Sequence, residues 1–131
     1  MTQTRLLPFI AALNGLLAVA LGALGAHALE PRLEARDMVG AWQTAAHYHL
    51  AHAVASLALL AWATAQPARA PTLLRAVLCW QVGCLLFAGS IYILALGGPR
   101  AFGPITPLGG LAFIAGWGLL ALESLRGPRS S

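Results

Sequence analysis

Charge is what this 131-residue chain has least of. Asp, Glu, Lys and Arg together make up 9% of it, and lysine does not occur. A soluble domain carries roughly 25% charged residues, so a chain surrounded on all sides by water is excluded. The acids are confined to Glu30, Glu34, Asp37 and Glu123. No carboxylate pair falls inside an apolar run, which argues against a hydrolase or a carboxylate-driven antiporter. The eight arginines are scattered through termini and loops. They form no basic stripe interleaved with aromatics, so a nucleic-acid partner is not expected. Cysteine is scarce too. Cys79 and Cys84 would project about 140° apart on a helix, which fits neither an internal disulfide nor a zinc site built on that pair alone. Two ordinary buried thiols remain. Ser56 and Ser90 lack a G-x-S-x-G setting. "LGGPRAFGP" (96–104) is glycine-rich but has neither lysine nor phosphate-loop spacing. Inverted repeats, the mark of many transporters, are not evident.

What is present is apolar length. Hydrophobic residues make up 59% of the chain, and a membrane-spanning helix needs about 20 of them in a row. Four runs qualify, at about 6–29, 41–63, 73–96 and 105–122. The expected fold is all-α, a single four-span membrane domain over residues 1–131. Each break has a physical cause. "EPRLEARD" (30–37) gathers five charges and a proline, "AQPARAP" (65–71) two prolines and an arginine, and "GGPRAFGP" (97–104) is rich in helix-ending residues. Thr106 is expected to cap the fourth helix, with Pro107 in its first position. "AHA" (26–28) resembles a signal-peptidase site, but the preceding run exceeds the usual 7–15 residues of a signal h-region, so the first helix is expected to be retained. Four spans put both termini on one side. Arg5, Arg69, Arg75, Arg126 and Arg129 share that side, and Arg32, Arg36 and Arg100 lie opposite. The bias predicts cytoplasmic termini.

Lipid removes the hydrophobic drive between helices, so close backbone approach must replace it and small residues gather at contacts. Ala11, Gly15, Ala18, Gly22 and Gly25 project within about 80° of one another. Gly109, Ala112 and Gly116 repeat the pattern on the fourth helix, and Gly83 and Ser90 share a side of the third. Such stripes suit a helix bundle. They suit a homo-oligomer, or a contact with other membrane proteins, equally well.

"AWQTAAHYHLAHAVA" (41–55) holds three of the four histidines. At about 100° per residue, Trp42, His49, His52 and Ser56 share a face, Tyr48 lies at its edge, and His47 points away with Gln43 and Thr44. His52 lies about 15 Å along the axis from Trp42, near the midplane. His27, Ser90, Tyr92 and Thr106 converge on the same half of the membrane. Polar side chains in hydrocarbon face inward and often mark function. Two uses stay open. One is a hydrogen-bonded network in which His27 and His52 pair with Tyr92, Ser90 or Thr106. The other is a metal, haem or proton site on His27 and His52.

"LGALGAHAL" (21–29), "WQTAAHYHLAHA" (42–53), "FAGSIYILAL" (87–96) and "ITPLGGLAFIAGW" (105–117) together resemble the family catalogued as domain of unknown function 423, which includes the transmembrane protein 256-like proteins. The resemblance implies an intact first helix, four spans and, for a bacterial member, the inner membrane. It implies no activity. Its pattern covers Gly25, Ala26 and His27, then Trp42, Gln43, Thr44, Tyr48 and His52, then Gly89, Ser90 and Tyr92, and finally Thr106, Pro107, Gly109, Gly110, Gly116 and Trp117. His47 and His49 fall outside it, which shifts the expected polar network to His27, Tyr48, His52, Ser90, Tyr92 and Thr106. Gly15, Gly22, Gly25, Gly109 and Gly116 are the expected packing positions. The reading is a structural or accessory membrane protein with no cofactor, not an enzyme, whose certain partner is the lipid bilayer.

Overall fold

A computed structural model describes residues 3–126. These form helices and turns, with no strand among the described residues. Helix α1 spans Gln3–Ala26, α2 is a short Glu30–Glu34 turn of helix, and α3 spans Val39–Ala65. A 3-10 turn at Pro67–Arg69 leads into α4, Ala70–Gly83. A π-helical turn at Cys84–Ala88 joins α4 to α5, Gly89–Ala95, so the two helices form one continuous span. A second 3-10 turn at Arg100–Phe102 precedes α6, Ile105–Ser124. Four segments are long and apolar enough to cross a membrane: Arg5–Ala26, Val39–Ala65, Pro67–Ala95 and Arg100–Ser124.

The helix ends differ from the sequence expectation in instructive ways. The first span stops at Ala26, not residue 29, because the Leu29 amide turns back to the Leu24 carbonyl at 2.8 Å. The charged stretch after it is partly helical. Leu33, fully buried, anchors α2 on the bundle, and Pro31 sits near its start, where a missing donor is harmless. Helix α2 ends with Met38 bonded to the Leu33 carbonyl and Asp37 to that of Glu34. Asp37 takes φ +54° there, a left-handed conformation that Asp tolerates better than most residues. The same two-bond closure ends α5, with Gly98 on Ile93 and Gly97 on Leu94. Gly97 has φ +91°, so glycine is the natural residue at this position. Arg32 donates to the Leu96 carbonyl at 2.7 Å, placing a cation at the negative end of α5.

Helix α3 and the α4–α5 span form the centre, with α1 packed on α3 and α6 packed on the α4–α5 span. Glycines set these crossings. Gly15 and Gly22 face Ala53 and Ala46 of α3, where an added methyl would lie 3.9 Å from the alanine Cβ, an ordinary contact. A methyl group on Gly25 would lie 2.2 Å from Trp42 Nε1. That opening lets the buried indole donate to the Leu21 carbonyl at 2.8 Å. On α6, a methyl on Gly109 would lie 2.2 Å from the Phe87 backbone nitrogen, so the two backbones nearly touch at the π turn. Gly116 gives room to Trp80 and Gly83 to Phe113 in the same way. At the end that carries the termini, the Glu123 carboxylate is fully buried. It pairs with Arg126 at 3.0 Å and Arg69 at 3.6 Å, and Arg69 also donates to the Glu123 carbonyl. A buried charge needs such partners.

Candidate functional site

Among the described residues, the histidines, carboxamides and hydroxyls of the interior form three bonded groups. The largest runs between three spans. His49 of α3 places Nε2 3.0 Å from Asn14 Oδ1 on α1, and Nδ1 3.4 Å from the Tyr92 hydroxyl on α5. Asn14 in turn donates from Nδ2 to Gln81 Oε1 on α4. Gln81 donates from Nε2 to Ser56 Oγ, back on α3, at 2.8 Å. With the Asn14 and Gln81 carboxamides oriented as they are, the direction of each bond follows from the inventory of donors. Asn14 Oδ1 can only accept, so His49 carries its proton on Nε2, and its Nδ1 accepts from the Tyr92 hydroxyl. The donors then point one way: Tyr92 to His49, His49 to Asn14, Asn14 to Gln81, Gln81 to Ser56. This chain extends about 10 Å along α3, the rise from His49 to Ser56.

The second group surrounds His52. Its Nδ1 lies 2.8 Å from the Tyr48 carbonyl and its Nε2 3.1 Å from Trp117 Nε1. An indole N–H only donates and a carbonyl only accepts, so His52 is the Nδ1–H tautomer with both nitrogens engaged. Its ring stacks on Phe113 at a centroid distance of 3.7 Å and meets Trp80 and Trp117 edge-on. The third group is Ser90 with Thr106, 2.6 Å apart. Ser90 spends its one proton on the Phe87 carbonyl at 3.0 Å, so Thr106 is the donor between them. This contact and the His52–Trp117 bond tie α6 to the rest of the bundle.

The six residues expected to form one network are thus divided. Tyr92 belongs to the first group, His52 to the second, and Ser90 and Thr106 to the third. His52 is bonded to the Tyr48 carbonyl and Trp117, not to Tyr92, Ser90 or Thr106. Tyr48 enters through that carbonyl and through its ring, which packs on Phe87 at 5.1 Å, while 44% of the residue stays exposed. Thr106 does not cap α6. That helix starts at Ile105 with no side-chain cap, and the hydroxyl crosses to Ser90 instead. His27 lies apart from all three groups, exposed in the turn between α1 and α2, with no hydrogen bond from its ring to any of the described residues. Gly25, two residues before it, packs on Trp42, and Trp42 precedes His52 by about 15 Å of helix. His27 and His52 therefore cannot share one ion. Among the described residues, no three His, Cys, Asp or Glu side chains come together as a ligand set.

His49, set aside on the resemblance, occupies the centre of the longest chain. The signal was in the helical face it shares with Trp42, His52 and Ser56, all of which are buried. Asn14 and Gln81 were missed altogether. Asn14, the chain's sole asparagine, and Gln81 each interrupt an otherwise apolar run, and that interruption was the available signal. His47, exposed, points away as its helical angle predicts.

This geometry defines a four-span membrane protein whose interior polar groups are bonded mainly to one another. Comparison with known proteins agrees with that class. A family model described as "Protein of unknown function (DUF423)" matches residues 21–110. The UPF0382 membrane protein YwdK of Bacillus subtilis is 36% identical over 117 residues, covering 89% of this chain and 94% of the relative. The UPF0382 inner membrane protein YgdD of Escherichia coli K12 is 35% identical over 131 aligned positions, covering 94% and 92%. The UPF0382 membrane protein C1782.12c of Schizosaccharomyces pombe is 36% identical over 115, covering 82% and 92%. No solved structure matches. The chain belongs to the DUF423 family. It is an integral membrane protein, and its relatives' names assign it to no reaction.

Proposed function

We propose that the protein is a structural or accessory component of the bacterial inner membrane, with both termini on the cytoplasmic side. One observation carries the reading. The interior groups that could hold a ligand are already committed to protein partners. His49, Asn14, Gln81 and Ser56 satisfy one another. The Nε2 lone pair of His52, which a metal or haem iron would need, accepts the Trp117 N–H. Trp80 Nε1 is buried without a partner, but an indole nitrogen in that form is no ligand. Polar groups bonded in this way lock helix against helix, which suits a scaffold, and the exposed apolar faces of α1 and α6 suit lipid, a second copy or another membrane protein. The arginine bias and a relative named as an inner membrane protein support the location.

The test is elemental analysis and an absorption spectrum of the full chain purified in mild detergent, beside a His27→Gln/His52→Gln double variant and each single variant. The proposal expects no stoichiometric metal or haem in any of them. It expects His52→Gln to lower stability by about 1–2 kcal/mol and His27→Gln to change it little. A bound species in the parent that the double variant loses would replace this reading with a cofactor protein. A C-terminal reporter active only outside the cytoplasm would overturn the orientation.

A further inference from the structure

An apolar groove of about 530 Å³ opens at the end of the bundle that carries the termini. That is within the usual range of ligand pockets, about 300–1,000 Å³. Its walls come from three helices: Leu6 and Leu7 at the start of α1, Leu60 and Thr64 at the end of α3, and Leu74 and Leu78 on α4. Thr64 is the one polar side chain in its lining. The Thr64 hydroxyl is spent on the Ala61 carbonyl at 2.7 Å. The shape and lining suit an acyl chain.

The residues that neighbour this lining along the chain supply the second observation. Arg5 immediately precedes Leu6, and Arg75 lies between Leu74 and Leu78. Both are exposed, and among the described residues neither is in an ion pair. No carboxylate side chain is left for them. Glu30, Glu34 and Asp37 belong to the opposite end, and Glu123 already holds Arg69 and Arg126. Arg75 also sits five residues into α4, about 7.5 Å along its axis. A guanidinium that far into a span needs an anion, or must snorkel back to the headgroup layer. From the groove and the two exposed cations beside its lining residues, unpaired among the described residues, we infer that this end of the protein binds an anionic glycerophospholipid. One acyl chain fills the groove, and the phosphate is held between Arg5 and Arg75. Guanidinium groups are suited to phosphate through paired N–H donors. The site does not depend on which side of the membrane the termini face, nor on the polar interior chain.

The experiment is native mass spectrometry of the full chain in detergent with phosphatidylglycerol or phosphatidylcholine of matched acyl chains. Retention of phosphatidylglycerol should exceed that of phosphatidylcholine, and should fall about five-fold for each of Arg5→Gln and Arg75→Gln, with phosphatidylcholine unchanged. Thr64→Phe, which projects a ring into the groove from an exposed position, should lower retention of both lipids. Arg100→Gln, at the opposite end, should alter neither. The inference fails if the two lipids are retained equally. It also fails if Arg100→Gln removes as much phosphatidylglycerol as Arg75→Gln, since that would mean net charge alone is at work. Retention unaffected by Thr64→Phe in a variant that keeps its helical circular dichroism would remove the groove from the account.

Discussion

Asn14→Leu removes the middle link of the interior chain, and its cost follows from the geometry. Asn14 makes one bond to His49 and one to Gln81, each joining α1 to another helix. Bonds between helices in membranes are worth about 0.6 kcal/mol on average and reach about 1.7, so the pair contributes about 1–3 kcal/mol. Leucine leaves a His49 N–H and the Gln81 carbonyl oxygen without partners, and an unsatisfied buried group costs about 1–3 kcal/mol. Part of that is recovered if the two groups reorient. The two effects are different views of one loss and do not add in full, which puts Asn14→Leu at about 2–4 kcal/mol. The steric component is small, because Asn14 is half-buried and leucine can extend toward lipid. Unfolding in mixed micelles, followed by circular dichroism and tryptophan fluorescence, gives the number. Asn14→Leu, Gln81→Leu and the double variant complete a cycle, and the coupling between them should be about 1–2 kcal/mol. Stability of Asn14→Leu within about 0.5 kcal/mol of the parent, or additive single variants, would show that the amide link holds nothing together.

Four further outcomes follow from local surroundings. Gly109→Ala sets a methyl against the Phe87 backbone, which cannot move aside as a flexible side chain would, and should cost at least about 2 kcal/mol. Gly118→Ala, with nothing within 4 Å, should be neutral or stabilising by up to about 1 kcal/mol; the same unfolding assay compares them. Gly97→Ala forces a side chain into φ +91° and should cost about 1–2 kcal/mol, read as faster protease nicking between α5 and α6. Glu123→Gln leaves Arg69 and Arg126 without their carboxylate and should lower stability by about 2 kcal/mol, a loss that high salt does not reproduce, because Glu123 is fully buried.

How much of this the sequence disclosed depended on the kind of signal. The spans were legible because most of the charge and proline gathers at the breaks and toward the chain ends. The packing face of α1 was legible because Ala11, Gly15, Ala18, Gly22 and Gly25 recur at helical spacing. Helix α2 was hidden by its charges, since a single buried residue, Leu33, fixes it to the bundle. The π turn had no signature: one extra residue in a helix changes neither composition nor hydropathy. The polar interior was half legible. Helical angle placed His49, His52 and Ser56 together, while partner choice depends on which side chains meet across helices, and one sequence carries no record of that. Tyr92 therefore found His49 in place of His27 or His52, and Thr106 found Ser90 in place of its own helix end. The pattern of the resemblance drew attention to His27, which lies at the surface.

Protein partners fix the interior histidines, and each ring is thereby held in one tautomer. The most direct measurement is the nitrogen-15 chemical shifts of the histidine rings in labelled full-length protein at neutral pH. His52, held between the Tyr48 carbonyl and Trp117, should show a single Nδ1–H tautomer, and His49, held between Tyr92 and Asn14, the opposite Nε2–H tautomer. Averaged tautomers at both rings, or the shift of a metal-coordinated nitrogen at His52, would contradict it.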